Sequence, residues 1–247
     1  RHTLFPYTTL FRSLSTGPEH QTILGVDRLD YSKGIPERLK AFARVLQEHP
    51  RTRERLSLVQ VVVPSRESVA EYRSLKKEIE RLVGEINGEF ATLDWTPVQY
   101  LYRSLPREEL VATYQQADIA LITPLRDGMN LVAKEYCACK NDLSGVLILS
   151  EFAGAAPRLS AEALLVNPCD VAGMAQTIIQ AWEMPNQERQ RRMSAARQKI
   201  KDQDINWWLN SFLQAAFQSE ARGPEQKGRP GLGLTRPVRS ALNAPQA

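Results

Sequence analysis

The segment Ser57-Leu58-Val59-Gln60-Val61-Val62-Val63 constrains the fold more than any other part of this chain. It is apolar and largely β-branched, with Gln60 as the polar interruption. A strand with one wet face alternates apolar and polar residues. This run does not alternate, which is the pattern of a strand covered on both faces inside a parallel sheet. Parallel strands need long crossovers, and those crossovers are helices in most folds.

The rest of the sequence supplies the crossovers. Residues 22–26 read as a short apolar strand, and 36–48 as a helix with Pro36 in a tolerated first-turn position. Leu39, Phe42, Val45 and Leu46 share one face of that helix. A helix over 69–86 carries Tyr72, Leu75, Ile79, Leu82 and Ile86 at helical spacing, with Asn87-Gly88 as its stop. Strand 98–102, a helix over 107–116 opened by Ser104, strand 118–123 and helix 130–139 follow. Strands 145–150 and 163–166 and helices 171–183, 187–201 and 206–217 complete the pattern. This alternation predicts an α/β fold with a doubly wound, mostly parallel sheet.

Charge is concentrated at the ends. The net charge of +4 contains +2 from residues 1–13 and +3 from residues 219–247, which leaves −1 for 14–218. A near-neutral folded part carries no nucleic-acid footprint. Residues 219–247 are rich in Gly and Pro and poor in apolar side chains, so they read as a disordered basic tail. Thr3-Leu4-Phe5-Pro6-Tyr7-Thr8-Thr9-Leu10-Phe11-Arg12-Ser13 is the in-frame translation of a common sequencing adapter. Residues 1–13 are therefore expected to be non-native, and 14–218 to form the folded domain. Cys137, Cys139 and Cys169 form no regular spacing, and the sequence has neither a secretory signal nor a membrane-length apolar run. A cytoplasmic protein with reduced thiols, no membrane and no metal is the expectation.

In a doubly wound sheet, ligands bind beyond the carboxyl ends of the strands. Arg28 and Lys33 follow the first strand in Val26-Asp27-Arg28-Leu29-Asp30-Tyr31-Ser32-Lys33-Gly34. Arg66 follows the second and Leu105 the third. The run Arg126-Asp127-Gly128-Met129-Asn130-Leu131-Val132-Ala133-Lys134-Glu135 follows the fourth and opens a helix. Cations combined with helix N-terminal N–H groups suit a diphosphate, and a nearby carboxylate suits sugar hydroxyls. No G-x-G-x-x-G follows the first strand, which argues against a dinucleotide. His2, His20 and His49 lie outside both runs.

Those two runs resemble the nucleotide-sugar half of the trehalose-6-phosphate synthase family, retaining glycosyltransferases of family 20 with the two-domain GT-B fold. Phe152-Ala153-Gly154-Ala155-Ala156, Val166-Asn167-Pro168 and Asp204-Ile205-Asn206-x-Trp208 agree as well. The resemblance implies a Rossmann-like C-terminal GT-B domain and glucosyl transfer from UDP-glucose to glucose-6-phosphate, without a cofactor. It assigns Arg28 and Lys33 to the diphosphate, and Asp127 with the amides of Gly128, Met129 and Asn130 to the glucosyl hydroxyls. It assigns the amides of Leu131 and Val132 to the phosphates, Glu135 to the ribose, the Leu105 backbone to the uracil, and Arg66 to the acceptor phosphate. Arg28, Lys33 and Asp127 are the implied catalytic residues. It further implies that an N-terminal GT-B domain is missing, leaving a fragment inactive alone. The aromatic residues of helix 206–217 would then be exposed. A homo-oligomeric intact enzyme, another acceptor, ADP-glucose as donor, and a non-catalytic sugar-nucleotide sensor stay open at this point.

Overall fold

Six strands form one sheet: β1 (Gln21–Arg28), β2 (Leu56–Val63), β3 (Val98–Tyr102), β4 (Ile119–Ile122), β5 (Val146–Ser150) and β6 (Leu164–Val166). Their order is β3-β2-β1-β4-β5-β6, and every adjacent pair is parallel. The computed structural model describes residues 19–66 and 68–221. The expected adapter segment 1–13 and the tail from residue 222 onward lie outside those residues.

The helices are α1 (Ile35–Glu48), α2 (Ala70–Phe90), α3 (Arg107–Gln116), α4 (Leu131–Cys139), α5 (Ala156–Leu159), α6 (Val171–Trp182), α7 (Asn186–Asp202) and α8 (Ile205–Ala221). Alternate residues of each strand feed two separate cores. Ile23, Leu58, Val62, Leu121 and Ile148 pack with α1, α2 and α6 on one face. Leu24, Val59, Val61, Ala120 and Leu149 pack with α3, α4, α5 and α7 on the other. The near-continuous apolar run of β2 is explained by this double coverage. The fold class is the expected one, doubly wound and parallel.

Chain order runs leftward from β1 through β2 and β3, then restarts on the other side of β1 at β4. The carboxyl ends of β1 and β4 therefore diverge, which opens a crevice at that point. Both motif runs emerge there.

Two local expectations are corrected. Helix α2 passes through Asn87-Gly88 and ends at Phe90. The Asn87 amide does not stop the helix; it bonds both the N–H and the carbonyl of Val98, at 2.9 Å each, and so anchors the start of β3. Helix α3 starts after Pro106 with no side-chain cap, so Ser104 does not open it. A 3-10 turn at Tyr31–Lys33 and the short α5 were not foreseen.

The chain divides into two compact units, one ending at Asp202 and one beginning at Gln203. Among the described residues, the second unit consists mainly of α8. Asp204 Oδ1 accepts the Trp207 N–H at 2.9 Å, and Trp208 stacks on Phe212 with centroids 5.5 Å apart. Trp208, Phe212 and Phe217 are exposed, as expected for that helix.

Candidate functional site

The loop after β1 is built around Asp30. Its carboxylate accepts the Ser32 N–H at 2.9 Å and the Ser32 hydroxyl at 2.7 Å, which curls Tyr31–Lys33 into its turn. Burial works to raise the Asp30 pKa, but the Ser32 bonds and the charges of Lys33 and Arg28 hold it below the ordinary value. Gly34 then takes a left-handed φ of 64°. A Cβ there would lie 2.3 Å from the Thr123 carbonyl oxygen at the end of β4. Glycine thus lets the two loops touch. Ser32 O accepts the N–H groups of Leu125 at 2.7 Å and Arg126 at 3.3 Å, which ties them together.

From that junction Lys33 reaches across to Asp127, with Nζ 2.7 Å from Oδ2. The two side chains are 15% and 17% exposed, shielded but open to a ligand. Asp127 also accepts from the Asn130 amide at 3.2 Å and the Met129 N–H at 3.4 Å. Burial pushes the Asp127 carboxyl up; the Lys33 bond and charge outweigh it, and the net shift is downward. The loop is pinned from outside. Asp127 N–H donates to Phe152 O at 3.3 Å, and Gly154 N–H donates to Asp127 O at 2.8 Å. A Cβ on Gly154 would sit 2.0 Å from the Gly128 carbonyl oxygen, so this approach requires glycine.

Asn130 caps α4 from a left-handed conformation (φ 61°), its side-chain oxygen accepting the Ala133 N–H at 3.0 Å. The first-turn amides of Leu131 and Val132 have no partner within the helix, as at any helix start. Leu131 and Met129 are exposed at 54% and 56%. Arg28 is 64% exposed, with Asp30 Oδ2 3.9 Å away, so its donors face solvent. Lys33, Asp127 and the start of α4 thus meet at one junction, and Arg28 ends the strand beside it.

Direct bonds join Lys33, Asp127, Met129 and Asn130. Arg28, Glu135, Leu105 and Arg66 stand at the same carboxyl edge on their own supports. Glu135 Oε2 accepts the Tyr114 hydroxyl at 3.0 Å. Leu105 is half-buried against the α3–α4 core. Arg66 is exposed, with φ 47°, and bonds the Tyr72 hydroxyl at 3.2 Å while its guanidinium lies 5.7 Å from that ring. Tyr72 in turn meets Tyr31 edge-on at 6.1 Å.

Sequence reasoning missed what lies underneath. Arg38 is fully buried below the junction. Its Nη1 donates to Asp27 Oδ2 at 2.6 Å and to Gln60 Oε1 at 2.9 Å, and its Nε donates to Thr123 Oγ1 at 3.1 Å. One guanidinium therefore ties together β1, β2 and the end of β4. Gly25 makes room for it, since a Cβ there would meet Arg38 Nη1 at 2.4 Å. Two signals pointed this way: the polar Gln60 in an apolar strand, and Arg38 at apolar-stripe spacing from Phe42 and Val45.

The profile of glycosyltransferase family 20 matches residues 10–218. The chain belongs to that family. Within family 20 it is 50% identical over 206 residues to the trehalose-6-phosphate synthase of Mycobacterium leprae, covering 83% of this chain and 41% of that one. A Burkholderia xenovorans α,α-trehalose-phosphate synthase (UDP-forming), solved in complex with glucose-6-phosphate, superposes with a TM-score of 0.80 at 40% identity. That match covers 84% of this chain and 45% of the solved one. An E. coli family structure bound with UDP-2-fluoro glucose gives 0.77 at 37% identity, covering 85% and 49%. The chain spans about two-fifths of the length of the curated M. leprae relative, at 41%. Among the described residues, no helix is long and apolar enough to cross a membrane.

Proposed function

We propose that this family 20 chain is the donor-binding, C-terminal half of a trehalose-6-phosphate synthase. The whole enzyme transfers glucose from UDP-glucose to glucose-6-phosphate, and the chain alone binds the donor without turnover. The observation that carries this reading is the Lys33–Asp127 pair at the β1/β4 switch point, flanked by Arg28 and the start of α4. The relatives solved with glucose-6-phosphate and with a UDP-glucose analogue support it.

In this reading the diphosphate enters between Arg28, Lys33 and the Leu131 and Val132 amides. Lys33 turns partly from Asp127 to the phosphate, and Asp127 and the amides of Gly128, Met129 and Asn130 take the glucosyl hydroxyls. Glu135 takes the ribose hydroxyls, and the Leu105 backbone borders the uracil. The bond from the glucosyl carbon to the phosphate oxygen breaks. The acceptor hydroxyl bonds the same face of that carbon, and its proton passes to the leaving phosphate. Preorganised cations and N–H donors stabilise the charge that develops on that phosphate. UDP-glucose is a substrate, and the reaction calls for no resident cofactor or metal. Arg66 reaches the acceptor phosphate once it leaves Tyr72. The other half of the acceptor site comes from the N-terminal domain. The unpaired thiols of Cys137, Cys139 and Cys169 and the phosphorylated substrates fit a cytoplasmic enzyme.

Calorimetric titration of the full chain with UDP-glucose tests the reading. Saturable binding is expected, and Lys33→Ala is expected to weaken it by about ten- to a hundredfold, the loss of one charge-assisted bond. Unchanged binding in Lys33→Ala would contradict it. Trehalose 6-phosphate formed by the chain alone would contradict the half-enzyme part.

A further inference from the structure

Glu135 is an exposed side chain on α4, and a lone exposed glutamate samples several rotamers. This one is held. The Tyr114 hydroxyl donates to its Oε2 at 3.0 Å, and Tyr114 itself is 2% exposed. Tyr114 lies on α3, the helix that follows the Leu105 loop. Its ring packs edge-on against Tyr136 of α4, with centroids 6.5 Å apart and planes at 74°. Tyr136 is fixed in turn, its hydroxyl donating to the carbonyls of Ala117 at 3.2 Å and Asp118 at 3.1 Å. A rigid aromatic pair thus delivers one polar group from the interior to a carboxylate at the crevice.

Resting on the donor-site reading above, we infer that Tyr114 is a positioning residue for the sugar of the nucleotide. By holding Glu135 in one orientation, it makes the site discriminate ribose from a sugar lacking the 2′ and 3′ hydroxyls. An ionised carboxylate offers about four acceptor positions. Tyr114 occupies one and leaves enough for two vicinal hydroxyls. Burial, followed by the neighbouring Glu135 charge, raises the Tyr114 pKa far above its ordinary value. The phenol therefore stays protonated and serves as donor at every physiological pH. The Leu105 loop leads into α3, Glu135 sits on α4, and Tyr114 bridges the two helices.

The test measures the affinity of the full chain for UDP and for 2′,3′-dideoxy-UDP. Tyr114→Phe keeps the ring and removes only the hydroxyl. UDP affinity is expected to fall about fivefold, the cost of reordering one long side chain, while the dideoxy affinity stays within about twofold. Glu135→Gln is expected to lose UDP affinity selectively too, and adding Tyr114→Phe to it should cost little more. Ser57→Ala serves as the structural comparison: it removes a buried hydroxyl that accepts the Trp95 Nε1–H near the amino end of β2, so it should lower thermal stability and leave the UDP preference unchanged. Equal losses for both nucleotides in Tyr114→Phe, or no loss for either, would overturn the inference while leaving the donor site standing. A wild-type chain that binds neither nucleotide would instead overturn the donor site itself, and the positioning role with it.

Discussion

Two aspartate–cation pairs stand one above the other at the end of β1, and they have opposite characters. Asp27–Arg38 is the lower pair, with side chains 4% and 0% exposed and a 2.6 Å contact. Gln60 and Thr123 take further donors of that guanidinium, and Gly25 leaves no space beside it. Lys33–Asp127 is the upper pair, at 2.7 Å, with its outer side open to the crevice. A fully buried pair, with three bonds from one guanidinium to two strands and a strand end, holds those strands in place out of reach of a ligand. A shielded pair beside an open crevice can trade one partner for a ligand. Depth, rather than residue type, separates the brace from the candidate binding site.

The largest expected effect breaks the lower pair. Arg38→Ala should destabilise the fold by roughly 3–5 kcal/mol, because it strands a buried carboxylate. Lys33→Ala should cost about 1 kcal/mol of stability or less, as a shielded but solvent-reachable pair does. Denaturant unfolding of both variants reads the contrast, and equal losses would erase the distinction between the pairs.

Next in size is the contact that shapes the upper pair. Gly154→Ala places a methyl group 2.0 Å from the Gly128 carbonyl oxygen. A shift of the 127–130 loop should follow, costing roughly 1–3 kcal/mol of stability and weakening UDP-glucose binding. Normal stability and normal affinity in that variant would show that the loop yields freely.

The smallest effect is in pH, and here the pairs should differ in sign. The Asp127 pKa is lowered below its ordinary 3.8, burial being outweighed by Lys33. Its contribution is full above 3.8 and is lost as pH falls through the depressed folded value. The Asp27 pKa is raised above 3.8, because burial outweighs the pull of Arg38. Its contribution is full below 3.8 and is lost as pH rises through the elevated value. Unfolding free energies measured from pH 6 downward should therefore fall less steeply on acidification in Asp127→Asn than in wild type, and more steeply in Asp27→Asn. The same slope in both variants would contradict the assignment.

Much of this was legible in the chain itself. Apolar runs without alternation marked the parallel strands, and helical spacing marked the crossovers. Arg28, Lys33 and Asp127 stood out as candidates because each lies at, or a short loop beyond, a strand's carboxyl end. Tyr114 and Arg38 did not, since their meaning depends on partners 21 positions away at Glu135 and 85 positions away at Thr123. Asn87-Gly88 was misread for a related reason. Locally it resembles a helix stop, but the Asn87 amide is committed to Val98 across the next loop. Short-range patterns report periodicity; long-range polar contacts report only through odd residues such as Gln60.

The proposed donor site puts a diphosphate sugar in the β1/β4 crevice. A crystal structure of this chain grown with UDP-2-fluoro glucose tests it most directly. The diphosphate is expected within hydrogen-bonding distance of Lys33 Nζ and the Leu131 and Val132 amides, with the sugar against Asp127. A nucleotide seated elsewhere on the chain, or one whose phosphates point away from Lys33, would contradict it.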